Sequence, residues 1–268
     1  MLTYPSFNPI AFSLGPLQVH WYGIMYLIGI FSAWFLGLRR ARATWRGVNS
    51  DQVSDVLFMS ALGLLIGGRL GYMVFYNTLE LIDHPLSLFA VWDGGMSFHG
   101  GLIGAVLGAG LYARKHKMNL FVLTDFFAPL VPIGLGAGRL GNFINGELWG
   151  KVTNSPLGMV FPSGGSLPRY PSQLLEFLLE GVVLFILLWG FSRRPKPPMF
   201  ISALFLIFYA IFRFIAEFFR EPDPQRGYLL WAWVTEGQLL SLPMFIFGII
   251  LLLLILRRKK DEGVSRVS

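Results

Sequence analysis

The stretch GLGAGRLGNFINGELWG, from Gly134 to Gly150, completes an apolar run that is long enough to cross a lipid bilayer. It places Arg139 where a lipid-facing side chain is expected, and Asn142, Asn145 and Glu147 follow closely. An arginine near hydrocarbon costs about 2.5 to more than 10 kcal/mol, depending on the reference state, so it is usually paired or functional. Arg139 is therefore a candidate site residue. Its alternative is an arginine that reaches the membrane interface or neutralises a buried carboxylate.

The composition around this stretch is that of a helical membrane protein. Of the 268 residues, 54% are hydrophobic and only 14% are charged, and the mean hydropathy is +0.58. Without cysteine, the chain has no disulfide, no thiolate nucleophile and no Cys-ligated metal. We predict an all-α polytopic protein, a single membrane domain over 1–268, with seven transmembrane helices at 19–38, 53–76, 96–113, 120–140, 171–192, 199–219 and 237–256.

The basic residues predict the orientation of these helices. Fifteen Lys and Arg residues follow the first, third, fifth and seventh apolar segments, whereas four lie on the opposite side. Because Lys and Arg concentrate in cytoplasmic loops, the N-terminus is expected outside and the C-terminus in the cytoplasm. Residues 141–170, rich in Gly, Pro and Ser, then form a small outer cap. No basic stretch with interleaved aromatic residues indicates a nucleic-acid partner.

In this orientation, five predicted helices bring polar side chains to one layer, near the headgroups of the outer leaflet. With a rise of 1.5 Å per residue, His99 lies about 5 Å below the outer end of its helix. The other polar residues assigned to this layer are Tyr22, Arg69, Arg139, Tyr209, Arg213 and Glu217. Three acidic residues are instead expected toward the inner half or on other helix faces, as structural residues: Asp125, Glu176 and Glu180.

The residue types in this layer suit an anionic lipid. A planar guanidinium matches phosphate oxygens, so Arg139 and Arg213 could together hold a phospholipid phosphate. A neutral imidazole at His99, which lies among four glycines, could accept a proton from an attacking group. The side chains of Tyr22 and Asn142 could hydrogen-bond glyceryl or phosphate oxygens. Glu147 could orient a partner or bind the cap.

Each of these residues also has a structural alternative. His99 is then a hydrogen-bonded helix-end residue, and Arg213 and Glu217, four residues apart, neutralise each other. Arg69 then pairs with Asp93 or Glu80 and holds the outer loops.

Two other functions remain open on the residues alone. A transporter or flippase for an anionic lipid or solute would use arginines along a path, but it favours polar residues at several depths and related halves. The hypothesis of a non-catalytic membrane scaffold does not explain the three intramembrane arginines.

Four motifs resemble those of bacterial prolipoprotein diacylglyceryl transferases. They are HWYG at His20–Gly23, GGMSFHGG at Gly94–Gly101, GAGRLGNFINGELWG at Gly136–Gly150 and YAIFRFIAEFFR at Tyr209–Arg220. The resemblance covers essentially the whole chain. It implies transfer of the diacylglyceryl group of phosphatidylglycerol to the lipobox cysteine thiol of a prolipoprotein, which forms a thioether and releases glycerol phosphate. The expected location is the bacterial inner membrane, with the site toward the periplasm.

The resemblance also implies roles for individual residues. The catalytic set is His99, Arg139 and Arg213, and the substrate-binding set is Tyr22, Asn142, Glu147, Gly150, Tyr209 and Glu217. Arg69 joins the substrate-binding candidates on its depth alone. No metal or organic cofactor is expected.

One segment departs from the family pattern. Where the family can carry histidine in an R-H-P-S-Q segment, this chain has tyrosine, in the sequence Arg169-Tyr170-Pro171-Ser172-Gln173. A catalytic duty of that histidine therefore does not carry over. His99 is then the only histidine well placed to take a proton.

Overall fold

Helices occupy all seven predicted segments in the computed structural model, which describes residues 2–5, 7–15, 17–90, 94–222, 227–229 and 233–264. In chain order they are α1 (Trp21–Ala41), α2 (Ser50–Phe75), the short α3 (Thr78–Asp83), α4 (Phe98–Lys115), α5 (Leu120–Phe127), α6 (Val131–Asn145), α7 (Ser172–Glu176), α8 (Leu184–Phe191), α9 (Phe200–Glu217) and α10 (Glu236–Val264). A π-helix over Phe177–Val183 joins α7 to α8 without a break, so residues 172–191 form one continuous helical segment.

The helices make the chain a multi-pass membrane protein. Within the described residues, five helical segments are long and apolar enough to cross a membrane, and the α5–α6 pair, bent by 49°, gives a sixth if it counts as one span. Helix α4 has 18 residues but is not in this group, because its glycines, His99 and the terminal Arg114 and Lys115 lower its hydropathy. The helical class is confirmed, whereas the count of seven spans and the orientation stay predictions.

The described part of the chain contains four short strands that were not expected from the sequence. Strand β1 (Leu2–Thr3) pairs in parallel with β4 (Met159–Val160), and β2 (Ile10–Leu14) pairs antiparallel with β3 (Leu17–His20). The β1–β4 pairing ties the beginning of the chain to the predicted cap. Helix α6 extends through Asn145, so the irregular part of that cap begins at Gly146 rather than at residue 141.

The chain divides into two compact units, which are described separately. The first comprises Met1–Leu36 and Thr124–Ser268, and the second comprises Gly37–Leu123. In the first unit, a buried apolar core joins α8 to α9 and contains Ala128, Leu184, Leu188, Ile201 and Leu204.

Asp125 lies beside this core and stabilises the beginning of α9. Its carboxylate accepts hydrogen bonds from the backbone N–H of Ser202 (2.8 Å) and from the Ser202 hydroxyl (2.6 Å). These contacts agree with the structural role expected from the sequence.

In the second unit, glycines allow α2 and α4 to pack with their backbones in contact. A Cβ atom added to Gly104 would collide with the carbonyl oxygen of Gly63 and would lie 3.0 Å from the Cα of Gly67. Gly71 and Gly100 form a further contact of this kind. Small residues at intervals of four let helix backbones approach closely in a membrane.

This packing predicts that Gly104→Ala lowers the stability of the protein. A methyl group that meets backbone cannot be relieved by a rotamer change, so we expect a loss of about 1–3 kcal/mol. Gly110→Ala, on the same helix, is the control because nothing lies within 4 Å of its added Cβ, and alanine there favours the helix by up to about 1 kcal/mol. Thermal unfolding in detergent measures both. An unchanged Tm for Gly104→Ala would contradict the tight packing.

Candidate functional site

Six charged side chains of the first unit form a network of ion pairs, which we name the arginine–glutamate cluster. Its members come from α6, α7, the π-helix, α9 and the residues just after α9: Arg139, Glu176, Glu180, Arg213, Glu217 and Arg220. The predicted pair of arginines is therefore found together, and each has carboxylate partners.

Glu176 and Glu180 each bridge the two arginines. The Nε atom of Arg139 lies 3.1 Å from Oε2 of Glu176, and its Nη2 lies 3.2 Å from Oε2 of Glu180. The Nη1 atom of Arg213 lies 2.5 Å from Oε1 of Glu176 and 3.5 Å from Oε1 of Glu180. Two carboxylates from one helical segment therefore fix the distance between guanidiniums from two other helices.

Burial differs between the two kinds of side chain. The side chains of Glu176 and Glu180 are 0% exposed, whereas those of Arg139 and Arg213 are 17% and 13% exposed. The carboxylates thus hold the arginines from the protein interior, while the arginine side chains keep a small accessible surface. Arg139 hydrogen-bonds Glu180 through Nε and Nη2, so its Nη1 group has no hydrogen bond to a described residue.

The π-helix contributes to this arrangement. Glu180 lies within it and Glu176 directly precedes it. A Cβ atom added to Gly136 on α6 would lie 3.1 Å from the Cα of Gly181, so α6 and the π-helix approach closely one turn before Arg139. π-Helices are rare and occur often at functional sites.

The placement of Glu176 and Glu180 away from the polar layer was wrong. Both contact Arg139 and Arg213 directly. The sequence did contain a signal. Two carboxylates four residues apart on an apolar helix share one face and repel each other, so they need cations nearby.

Glu217 and Arg220 complete the cluster at the end of α9. The Nη2 atom of Arg213 lies 2.5 Å from Oε1 of Glu217, which is the intrahelical pair considered from the sequence. The Thr235 hydroxyl donates to Oε2 of Glu217 at 2.7 Å. Arg220 lies 3.7 Å from Glu176 and 3.9 Å from Glu217, and burial, followed by repulsion from Arg213, lowers the pKa of its guanidinium.

The asparagines at the end of α6 hold Glu147. Its Oε1 accepts hydrogen bonds from the amides of Asn142 (2.9 Å) and Asn145 (3.3 Å). Its backbone carbonyl accepts one from Gln173 Nε2 at 2.6 Å. These bonds connect the chain beyond α6 to the helix that carries Glu176. The expected role of Glu147, in orienting a partner or binding the cap, stays a prediction.

Tyr4 closes the same helix end. Its buried hydroxyl donates to the carbonyl oxygens of Phe143 (2.8 Å) and Ile144 (2.9 Å), and burial raises the pKa of this phenol. The N-terminal residues therefore satisfy carbonyl groups that the end of a helix leaves without partners.

Gly150 lies where no side chain fits. A Cβ atom there would lie 2.6 Å from the Tyr170 carbonyl oxygen and would collide with that of Phe219. Its N–H donates to the Tyr170 carbonyl at 2.8 Å, and the Tyr170 ring packs edge-on against Phe219 with centroids 5.3 Å apart. Gly150 and Tyr170 thus join the cap to the end of α9. A direct substrate contact by Gly150 stays a prediction.

Two predicted tyrosines flank the cluster in the first unit. The Tyr209 ring stacks on Phe205 with centroids 5.8 Å apart, and the residue interacts electrostatically with Glu180, Arg213 and Arg139. Tyr22, on α1, packs against α6 at Gly141, where an added Cβ would lie 2.9 Å from the tyrosine ring.

In the second unit, Arg69 holds the segments that precede α4. It is buried and donates to the carbonyl oxygens of Ser87 (2.6 Å), Leu88 (3.2 Å), Gly94 and Gly95 (3.3 Å). Among the described residues it makes no ion pair with Glu80, and Asp93 lies outside the described residues. These contacts match the structural alternative, with carbonyl oxygens as partners instead of carboxylates.

His99 lies in the first turn of α4, next to the segments that Arg69 holds. The helix begins after Ser97, whose hydroxyl accepts a hydrogen bond from the Gly100 N–H (3.3 Å) and whose own N–H donates to the Gly68 carbonyl (2.9 Å). The His99 side chain is exposed. Its meeting with Arg139 and Arg213 stays a prediction.

Comparisons with known proteins relate nearly the whole chain to one family. A sequence model of the prolipoprotein diacylglyceryl transferase family matches residues 9–254. The phosphatidylglycerol–prolipoprotein diacylglyceryl transferase of Francisella tularensis subsp. mediasiatica is 53% identical over 98% of this chain and 100% of its own length. The protein of the same name from Coxiella burnetii is 59% identical over 92% of this chain and 95% of its own.

Proposed function

The chain belongs to the prolipoprotein diacylglyceryl transferase family, and from this premise we propose how its residues carry out the reaction. The protein is a transferase that moves the diacylglyceryl group of phosphatidylglycerol to prolipoproteins. The acceptor is the thiol of the lipobox cysteine. The peptide supplies the attacking thiol, and the lipid supplies the glyceryl carbon and the phosphate leaving group.

In the reaction, the sulfur of the cysteine attacks the glyceryl carbon that bears the phosphate. A carbon–sulfur bond forms, the carbon–oxygen bond to the phosphate breaks, and glycerol phosphate leaves with the bonding electrons. The thiol proton must go to a base. The products are a thioether-linked diacylglyceryl peptide and glycerol phosphate.

The observation that carries this mechanism is the pair of guanidiniums that Glu176 and Glu180 hold together. Both arginine side chains are partly exposed, and their N–H groups are proposed to donate to the phosphate oxygens of one lipid. As the carbon–oxygen bond breaks, negative charge grows on the leaving phosphate. Donors already fixed in place stabilise this charge without reorganising, and each such donor is typically worth about 10²- to 10³-fold in rate.

His99 is the proposed base for the thiol proton. An exposed imidazole in the first turn of α4, which α2 and the carbonyl contacts of Arg69 hold in position, is accessible to an incoming peptide. The lipid headgroup is proposed to be bound or surrounded by the remaining candidates: Tyr22, Asn142, Glu147, Gly150, Tyr209 and Glu217. In this scheme Arg69 keeps the segment before His99 in place.

We place the protein in the bacterial inner membrane, with the site toward the periplasmic leaflet. The distribution of Lys and Arg supports this orientation. A transporter or flippase is not favoured, because the curated relatives are named as transferases.

Purified protein incubated with labelled phosphatidylglycerol and a lipobox peptide is expected to increase the peptide mass by one diacylglyceryl group. Mass spectrometry of the peptide measures the product, and a peptide with serine in place of the cysteine is the control, because its hydroxyl is a much weaker nucleophile. Transfer of labelled lipid between membrane leaflets without modification of the peptide would support a flippase instead.

A further inference from the structure

Tyr26 is a second phenol beside Tyr22 that the motifs of the sequence did not include. The two residues are one helical turn apart on α1. Their hydroxyl oxygens are 3.4 Å apart, and their rings pack edge-on with centroids separated by 5.1 Å. One phenol can therefore donate a hydrogen bond to the other and orient it.

The packing of α1 on α6 determines the position of Tyr26 along the axis of α6. The two helices run in opposite directions, because Gly29 faces Gly134 whereas Tyr22 faces Gly141. Tyr26 lies midway between the two α1 contacts, so its level on α6 is near residues 137–138, next to Arg139. An electrostatic interaction between Tyr26 and Arg139 agrees with this register.

The same region has space for a ligand. Tyr26 is 42% exposed, and nothing lies within 4 Å of a Cβ atom added to Gly138. The next residue along α6 is Arg139, whose side chain is 17% exposed and whose Nη1 group has no hydrogen bond to a described residue. A neutral donor, a cationic donor and open space therefore occur together.

We propose that the Tyr26 hydroxyl donates a hydrogen bond to the phosphate group that Arg139 binds, with Tyr22 as the residue that orients this hydroxyl. The inference rests on the proposed function and adds a lipid-binding residue to it. A phenol suits this place because it contributes a donor to an anionic oxygen without adding a charge to the cluster. Its bond to the phosphate forms in the bound lipid and persists in the transition state, so it acts mainly on binding.

Tyr26→Phe tests the proposal because it removes only the hydroxyl. We expect the KM for phosphatidylglycerol to rise roughly 10- to 100-fold, the loss typical of a hydrogen bond to a charged group, with little change in kcat. The Tm in detergent should stay that of the wild type. Tyr112→Phe is the matched control. It removes a phenol oxygen that lies 3.3 Å from Asp55 near the opposite end of α4 from His99, and it should leave KM unchanged.

A double variant tests the role of Tyr22. If Tyr22 acts through Tyr26, the combined effect of Tyr22→Phe and Tyr26→Phe on KM is smaller than the product of the single effects. An unchanged KM for Tyr26→Phe overturns the proposal. A variant that loses both thermal stability and kcat also overturns it, because the hydroxyl would then have a structural role. The wild-type protein distinguishes a wrong role for Tyr26 from a wrong proposed function. If the proposed function is wrong, even the wild type does not modify the peptide.

Discussion

Arg213→Ala is expected to abolish diacylglyceryl transfer and to destabilise the protein at the same time. The variant loses a guanidinium that contacts Glu176, Glu180 and Glu217, and it leaves buried carboxylates with fewer cations. Removing one partner of a buried ion pair typically costs about 3–5 kcal/mol. The loss of a fixed donor to the leaving phosphate should lower the rate by at least about 10²- to 10³-fold.

A second substitution separates the two effects. Glu176→Gln in the Arg213→Ala background removes one carboxylate charge, so the double variant should regain part of the lost Tm without regaining activity. Arg194→Ala, an exposed arginine in the loop between α8 and α9, is the control for the loss of a positive charge. Wild-type transfer by the double variant would remove Arg213 from the proposed phosphate site.

His99→Gln is expected to lower transfer at neutral pH by about 10²- to 10⁴-fold, the usual contribution of a positioned general base. Glutamine keeps a hydrogen-bonding side chain but cannot accept the proton. Because a free cysteine thiol has a pKa near 8.5, the activity of the variant should rise with pH as the peptide thiol ionises without help.

The measurement is the pH dependence of kcat/KM with the lipobox peptide, for wild type and for His99→Gln. His20→Gln is a control at a second histidine, in β3, which is assigned no part in the reaction. If His99→Gln keeps most of the activity at neutral pH, His99 positions the thiol instead of taking its proton.

The helices could be predicted from the sequence because a helix that crosses a membrane needs a long apolar stretch, which faces lipid or other helices. A hydropathy profile detects such a stretch directly. The predicted segments at 199–219 and 237–256 correspond to α9 and α10 within a few residues at most ends, although α10 continues to Val264. Strands β1 to β4 were missed because strands of two to five residues bury too little to leave a hydrophobic pattern. The parallel pairing of Leu2 with Met159 joins residues far apart in the chain, which no local pattern reports.

The candidate site was predicted only in part. The sequence identified Arg139 and Arg213, since a charge among apolar residues is conspicuous wherever its side chain points. It did not identify their partners, because depth was counted along ideal helices and Glu176 and Glu180 were assigned to other faces. For Arg69, the sequence identified the residue but not the kind of group that it contacts. Its partners are backbone carbonyls, which every residue has and which no sequence pattern distinguishes.

The arginine–glutamate cluster has a consequence for turnover. Its three cations and three anions leave it electroneutral before any lipid arrives. The diester substrate adds one negative charge, whereas the departing monoester carries about −1.5 to −2 at neutral pH. The guanidiniums still donate to this product, but the neighbouring carboxylates offset part of the attraction, so a neutral cluster binds it less tightly than a net-cationic pair of arginines would. The same carboxylates that fix the guanidiniums should therefore hasten the escape of glycerol phosphate once the carbon–oxygen bond has broken.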